Sequence, residues 1–431
     1  MDFTKIYFKI RKSLFVIILS IFCLASFLLM HNQLSNDLLC TAENINLNGD
    51  VFSDITFSYG DNVYNLEDIN VDVTLLQQKI LYDFDSRVSA LNFAIDNGID
   101  IEKAFLYSFP EIVRTVNDIE SKTKINPYDA NISVIKNTAK IMINKSKNGV
   151  KIDKNTLFLD ILNSFNLKNN KNNFTIKDNE IFPEVITEDV KIYGKLRGSF
   201  STNFSSSSEA RKNNIRNALK QFDGVTLLPG EVLSFNTQTG IRNEDSGYQR
   251  AKIIKNGVFV EEFGGGVCQV STTIYNAALL AGLEIIEVHP HSLPVSYIEP
   301  CFDAMVNMGS SDLVIKNNLD YPVIFATSDL NDICKVNIYG NENEYKAVRR
   351  SEKTEEILSQ NIIYTSDYNL YGFTEPLSPG EEKILSNAKP GYKACGWIEY
   401  YKDDILVKTS PLRKNTYNAT NQVVLVGNKN S

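Results

Sequence analysis

The chain has 431 residues, more than one ordinary domain holds, so two or three domains are expected. Its 43% hydrophobic and 10% aromatic content can build real cores and excludes wholesale disorder. A net charge of -8 argues against nucleic acid as a partner.

Lys5, Lys9, Arg11 and Lys12 precede an uncharged run over 13–30. As a helix at about 1.5 Å per residue this run spans roughly 27 Å, close to a bilayer core. The basic flank is expected to stay inside, leaving everything after His31 extracytoplasmic. No small-x-small cleavage site follows, so 1–31 reads as a cytoplasmic flank and an uncleaved signal-anchor. The expected address is therefore the cell membrane, single-pass, with the membrane itself as a partner. Secretion after signal cleavage is the alternative. Leu39 is too large for the position before a lipoprotein cysteine at Cys40.

Residues 31 to about 60 read as a polar stalk with little periodicity. From Val73 to about Asn97 apolar residues recur at three and four, as in a helix, and Gly98 supplies a stop. A second helix is expected over about 100–120. Asn131-Ile-Ser-Val-Ile and Lys140-Ile-Met-Ile-Asn alternate like paired strands, and Asn148-Gly149 marks a turn. Helix signals return at 154–166. Residues 60–190 thus read as a small α+β domain. Its motifs Asn126-Pro-Tyr-Asp-Ala-Asn, Asn148-Gly-Val-Lys-Ile-Asp and Phe182-Pro-Glu-Val resemble a peptidoglycan-binding domain of bacterial envelope proteins. That resemblance implies a cell-wall polymer as partner, with an anonymous spacer domain as the bland alternative.

Ser206 with Glu209 predicts a capping box for a basic helix over 207–222. Strand, turn and strand follow at Val225-Thr-Leu-Leu, Pro229-Gly230 and Glu231-Val-Leu-Ser-Phe. Asn256-Gly257 between two apolar runs is the strongest hairpin signal in the chain. The returning strand delivers Gly264, Gly265 and Gly266 to a helix at 268–281, which Gly282 closes. Strands are expected at 285–289, 312–317 and 322–327. A charged linker, Arg349-Arg-Ser-Glu-Lys-Thr-Glu-Glu356, then leads to a β-rich tail. The predicted class is α+β: a membrane-anchored multidomain chain with a central mixed α/β domain and a β-rich C-terminal module.

Residues about 195–342 resemble the VanW family. The resemblance rests on Leu228-Pro-Gly-Glu-Val-Leu-Ser-Phe-Asn236, Gly240-Ile-Arg, Gly264-Gly-Gly-Val-Cys-Gln-Val-Ser-Thr-Thr, His289-Pro-His-Ser and Phe302-Asp303-Ala, in one order. It implies a cell-envelope context reminiscent of vancomycin-resistance clusters, and names no reaction. The chain departs from the pattern at Cys301 and Met305. Residues about 350–428 resemble the G-five family of extracellular β modules through Leu377-Ser-Pro-Gly-Glu-Glu-Lys and Pro390-Gly-Tyr-Lys. That likeness implies adhesion or sugar binding.

Cys268 opens a helix after three glycines, and two of the three histidines follow about twenty residues later. A thiol at a helix start feels the positive end of the dipole, which favours its thiolate. The order Cys268, His291 (or His289) and Asp303 is similar to that of papain-like and transglutaminase-like cysteine enzymes. Pro290 separates the histidines, so on an extended strand only one ring points into a site. Gln269 and backbone amides near Gly266 are candidates for an oxyanion hole. Arg242 can clamp a substrate carboxylate. Tyr248, Asn276, Ser271, Thr272 and the three glycines complete the candidate substrate contacts.

Each residue has a structural alternative. Cys268 can be an inert buried thiol. Arg242 can hold a loop through Glu244 or Asp245, and the hydroxyls can bond backbone. No metal and no cofactor is expected: the six cysteines show no ligand spacing, His-x-His alone is a weak motif, and no Lys follows the glycines. A Cys301–Cys334 bridge is left open by the sequence. Two functions stand: a cysteine-dependent peptidoglycan hydrolase or acyl transferase acting on stem peptides, or a non-catalytic wall-binding or adhesion protein.

Overall fold

The structure is a computed structural model that describes residues 55–66, 84–168, 172–255, 258–359, 361–366 and 377–427. The signal-anchor expected at 1–31 lies outside them, with Cys23 and Cys40. Among the described residues no helix is long and apolar enough to cross a membrane.

The described residues fall into two compact units. These do not follow the expected boundaries of 60–190, 195–342 and 350–428. The first unit takes in Ile152–Asp178 together with the chain up to Lys122. Its helices Phe84–Asp96, Ile101–Ser108 and Lys154–Asn166 pack around a phenylalanine-rich core. Phe105 stacks on Phe158 with centroids 4.8 Å apart, and both are fully buried. Asp100 and Asp153 cap their helices by accepting from the Lys103 and Thr156 amides.

The second unit comprises Thr123–Lys151 and Asn179–Ser431, so the Asn131–Ile135/Lys140–Asn144 hairpin belongs here. Ala139 at its turn explains why: its N–H donates to Thr327 O (2.9 Å), and its carbonyl accepts from Asn337 Nδ2 (2.7 Å). Both partners lie in a four-stranded antiparallel sheet. Its order is Lys195–Asn203, Ile333–Gly340, Val323–Ser328 and Thr226–Leu227. The two strands read as one hairpin around Pro229-Gly230 go to different sheets. Val232–Ser234 pairs instead with Val314–Lys316, which also pairs with Glu284–Glu287. The basic helix is shorter than expected, Glu209–Leu219, and its cap is Ser208 rather than Ser206.

The central helix Val267–Ala281 lies against strand Lys195–Asn203, and thirteen of its fifteen residues are buried. Gly198 permits the approach. A Cβ there would sit 2.3 Å from Ala277 O and 2.6 Å from Ala281 N. Cys334 is fully buried in the same core, and the four described cysteines are free, so the Cys301–Cys334 bridge does not form.

The expected charged linker is a strand. Lys346–Ile357 pairs along its length with Gly391–Lys402, which pairs with Ile405–Tyr417. Its charges meet partners across the ladder, Arg350 with Glu399 and Lys393 with Glu355, both at 2.8 Å. Composition alone hides such pairing.

Gly198→Ala should destabilise the second unit by at least about 1–3 kcal/mol, because helix backbone rather than a flexible side chain must move. Urea denaturation checks this; unchanged stability would mean that strand and helix are not in backbone contact.

Candidate active site

The central helix begins at Val267 with Gly266 as its cap, in a left-handed conformation (φ +107°) that a side chain would strain. A Cβ on Gly265 would sit 2.7 Å from Ala251 O, and one on Gly266 2.8 Å from Arg211 Cγ. The glycines expected to contact substrate are thus required by chain packing. They place Cys268 in the first helical turn, partly exposed. Val267 and Gln269 donate their amides to Gly264 O and Gly266 O, while the Cys268 amide has no partner among the described residues.

His291 and Asp303 meet Cys268 from two irregular segments. Asp303 Oδ2 accepts from the His291 backbone N–H (2.6 Å) and ring Nδ1 (2.8 Å). That leaves the other ring nitrogen to act on Cys268, whose Sγ donates to Val306 O (3.4 Å). Burial pushes the Cys268 thiol up, but the His291 hydrogen bond and charge outweigh it, and the pKa is lowered. Burial likewise pulls His291 down; Asp303 and Cys268 together raise it to about 9. Both shifts favour a thiolate at Cys268 and an imidazolium at His291, which the carboxylate holds. Asp303 itself lies below the usual carboxylate range despite burial, because His291 and Arg413 oppose its protonation.

His289 is not part of this group. Its backbone carbonyl bridges to the Met305 amide (2.8 Å), which turns its ring out to Glu287 Oε1 at 2.8 Å. Gln269 is no oxyanion donor: it is buried, with Nε2 donating to Thr202 Oγ1 and Asn203 O. Ser271, Thr272 and Asn276 are buried and support Asp303 from beneath. Ser271 Oγ donates to Ala304 O (2.6 Å), Thr272 Oγ1 accepts from Ala304 N (3.0 Å), and Asn276 Nδ2 donates to Phe302 O (2.7 Å). Arg242 bonds Asn236 Oδ1 and acts on the sulfur's charge, making no ion pair with Glu244 or Asp245. Tyr248 is buried beside it, its hydroxyl unpartnered. Among the described residues no cluster of three His, Cys, Asp or Glu side chains can hold a metal ion.

Sequence reasoning missed Arg413 and Tyr417. Asp303 Oδ1 accepts from Tyr417 Oη (2.7 Å) and Arg413 Nη2 (3.0 Å), and Arg413 Nε donates to Cys301 O (2.8 Å). Both lie on strand Ile405–Tyr417, over a hundred residues downstream, in a segment read as a separate module. Only its alternation of buried and exposed residues hints that Arg413 faces inward.

Residues 210–339 match the family model VanW, described as VanW like protein. This segment is similar to the VanW family. Cys268, His291 and Asp303 all fall inside the matched segment, whereas Arg413 and Tyr417 lie beyond it. Residues 67–173 match a second model, described as "Putative peptidoglycan binding domain". The uncharacterized protein YoaR of Bacillus subtilis (strain 168) is 32% identical over 179 residues, 41% of this chain and 59% of its own length. The Vancomycin B-type resistance protein VanW of Enterococcus faecalis (strain ATCC 700802 / V583) is 29% identical over 113 residues, 25% of this chain and 41% of its own. The match therefore spans less than two thirds of either relative. The solved HP0197-G5 structure aligns with 20% of this chain and 100% of its own, at 19% identity and a TM-score of 0.11.

The site's proton inventory gives a signed expectation for the VanW-like domain. Raised His291 contributes stability that is complete below its unfolded value and is lost as pH rises through about 9, whereas lowered Cys268 gains its contribution as pH rises, so the two slopes oppose each other. In Cys268→Ala only the His291–Asp303 contribution remains, and nothing offsets its loss on alkalinisation. Urea midpoints should thus fall more steeply with rising pH in the variant than in the wild type. Matching profiles would exclude the ion pair. Separately, Tyr417→Phe removes one donor from a buried carboxylate and should cost about 1.5–3 kcal/mol in the same assay.

Proposed function

We propose that the protein is a cell-wall-bound cysteine peptidase or acyl transferase acting on peptide bonds of peptidoglycan. One observation carries this reading: a partly exposed Cys268 in the first turn of a helix, acted on by His291, whose ring and amide Asp303 holds. In the proposed step, Cys268 Sγ attacks a peptide carbonyl and forms the S–C bond. The unpartnered Cys268 amide at the helix start stabilises the oxyanion. On collapse the C–N bond breaks, and the leaving amine takes the His291 proton. Water, or an acceptor amine, then gives its proton to His291 and cleaves the thioester, restoring the thiolate.

The match at 67–173 supports the wall polymer as partner. The run over 13–30 belongs to the same proposal as a single-pass anchor, keeping the remainder extracytoplasmic. A non-catalytic wall-binding role is favoured by a different observation. Gln269 Nε2, Ser271 Oγ, Thr272 Oγ1 and Asn276 Nδ2 all hydrogen-bond within the fold.

Incubating the protein with purified sacculi, then profiling pelleted protein and released fragments, separates the two. Cys268→Ser should pellet like the wild type and lose fragment release by at least about 10³-fold. Undiminished release by that variant would discard the cysteine mechanism. No release by either protein would leave the binding role.

A further inference from the structure

Two arginines flank the turn that presents Cys268. The Arg242 stem packs on Gly264, where a Cβ would lie 3.2 Å from its Cδ, and the Arg211 stem packs on Gly266 at 2.8 Å. Both guanidiniums act on the charge of the sulfur. Yet neither makes an ion pair among the described residues. Arg211 Nη1 donates to Ser207 Oγ (2.6 Å), and Arg242 Nη2 to Asn236 Oδ1 and Thr239 Oγ1. Asp312 acts on Arg242 without touching it, accepting instead from the Ser234 hydroxyl and the Asn236 and Leu313 amides.

Charge matching makes this unusual. His291 and Arg413 match a Cys268 thiolate and Asp303, and Asp312 acts on Arg242, so Arg211 is left over. Partly buried cations without a counter-charge are costly, and structures normally pair them. A second observation points the same way. Tyr248 is 2% exposed and its hydroxyl has no partner, nor has buried Arg242 Nε beside it. These orphaned donors lie at Arg242, which flanks the same turn as Arg211.

We propose that the site takes a substrate with a free carboxylate close to the scissile carbonyl, seated by Arg211, Arg242 and the Tyr248 hydroxyl. This rests on the cysteine-nucleophile reading above and adds the substrate class. The carboxylate can be a peptide's own terminus or an acidic side chain; both present the same planar anion to a guanidinium fork.

The test does not depend on turnover. Iodoacetate and iodoacetamide alkylate the same sulfur, and only the first carries a carboxylate next to the reacting carbon. Their rate ratio at Cys268 cancels the thiolate fraction, and its change in arginine variants reports what the guanidiniums add to the pull of charged His291. The ratio should fall about ten-fold in Arg211→Gln/Arg242→Gln and about three-fold in each single variant, with Arg242→Lys retaining part of it. Circular dichroism confirms folding, and the single variants carry the test if the double one unfolds. A ratio unchanged in the folded variants would overturn the proposal.

Protection of Cys268 from iodoacetamide then identifies the source. Protection by N-acetyl-dialanine but not its amide assigns a terminal carboxylate. Protection by an N-acetyl-glutamyl peptide amide assigns a side chain. Protection by neither refutes the seat. A charge-dependent ratio without sacculus cleavage retains the anion site and rejects the enzyme. Cleavage that is indifferent to amidation does the reverse.

Discussion

The buried carboxylate of Asp303 is the constraint on which the second unit turns. At 1% exposure it accepts from the His291 amide and ring through one oxygen, and from Tyr417 and Arg413 through the other. A buried charge is tolerated only when such partners replace its water. The partners come from two distant stretches of chain, His291 and the strand Ile405–Tyr417, so satisfying this one group fixes their mutual positions. The central helix joins through Ser271, Thr272 and Asn276, which hold the backbone on either side of Asp303. Polar residues inside an otherwise apolar helix thus serve as its attachment to the irregular 302–306 segment.

The triple glycine plays the complementary part. It lets strand Val258–Phe263 turn into the helix while Arg211, Arg242 and Ala251 crowd the turn. The outcome is a thiol at a helix start with cationic groups around it, and those features lower a cysteine's pKa. Fold and chemistry here share one cause: close packing of the turn brings the guanidinium stems to the sulfur.

Legibility in the sequence followed the range of the interactions. The helix ending at Gly282 and the Asn131–Ile135/Lys140–Asn144 hairpin rest on local pattern, and both were visible. Between the two histidines the sequence left a choice, since it could not show that Met305 would pair with His289 and turn that ring to Glu287. What failed involved distant partners. The charged stretch 349–356 looked like a linker because its cross-strand partners, Lys393 and Glu399, lie some forty to fifty residues away. Gln269 looked like a site residue until Thr202 and Asn203 claimed its amide.

Arg413 and Tyr417 show how far the site extends along the chain. The matched VanW segment ends at residue 339, yet one oxygen of Asp303 depends on a strand some seventy residues later. Without that strand the oxygen would be buried and unpaired, and each lost donor to such a group costs on the order of 1–3 kcal/mol. The cheapest relief would be protonation of Asp303, which removes the charge that holds His291 in its charged form, and with it the lowered pKa of Cys268. The C-terminal strands are therefore part of the electrostatic machinery of the site, and the physical boundary of the domain lies beyond the boundary of its family resemblance.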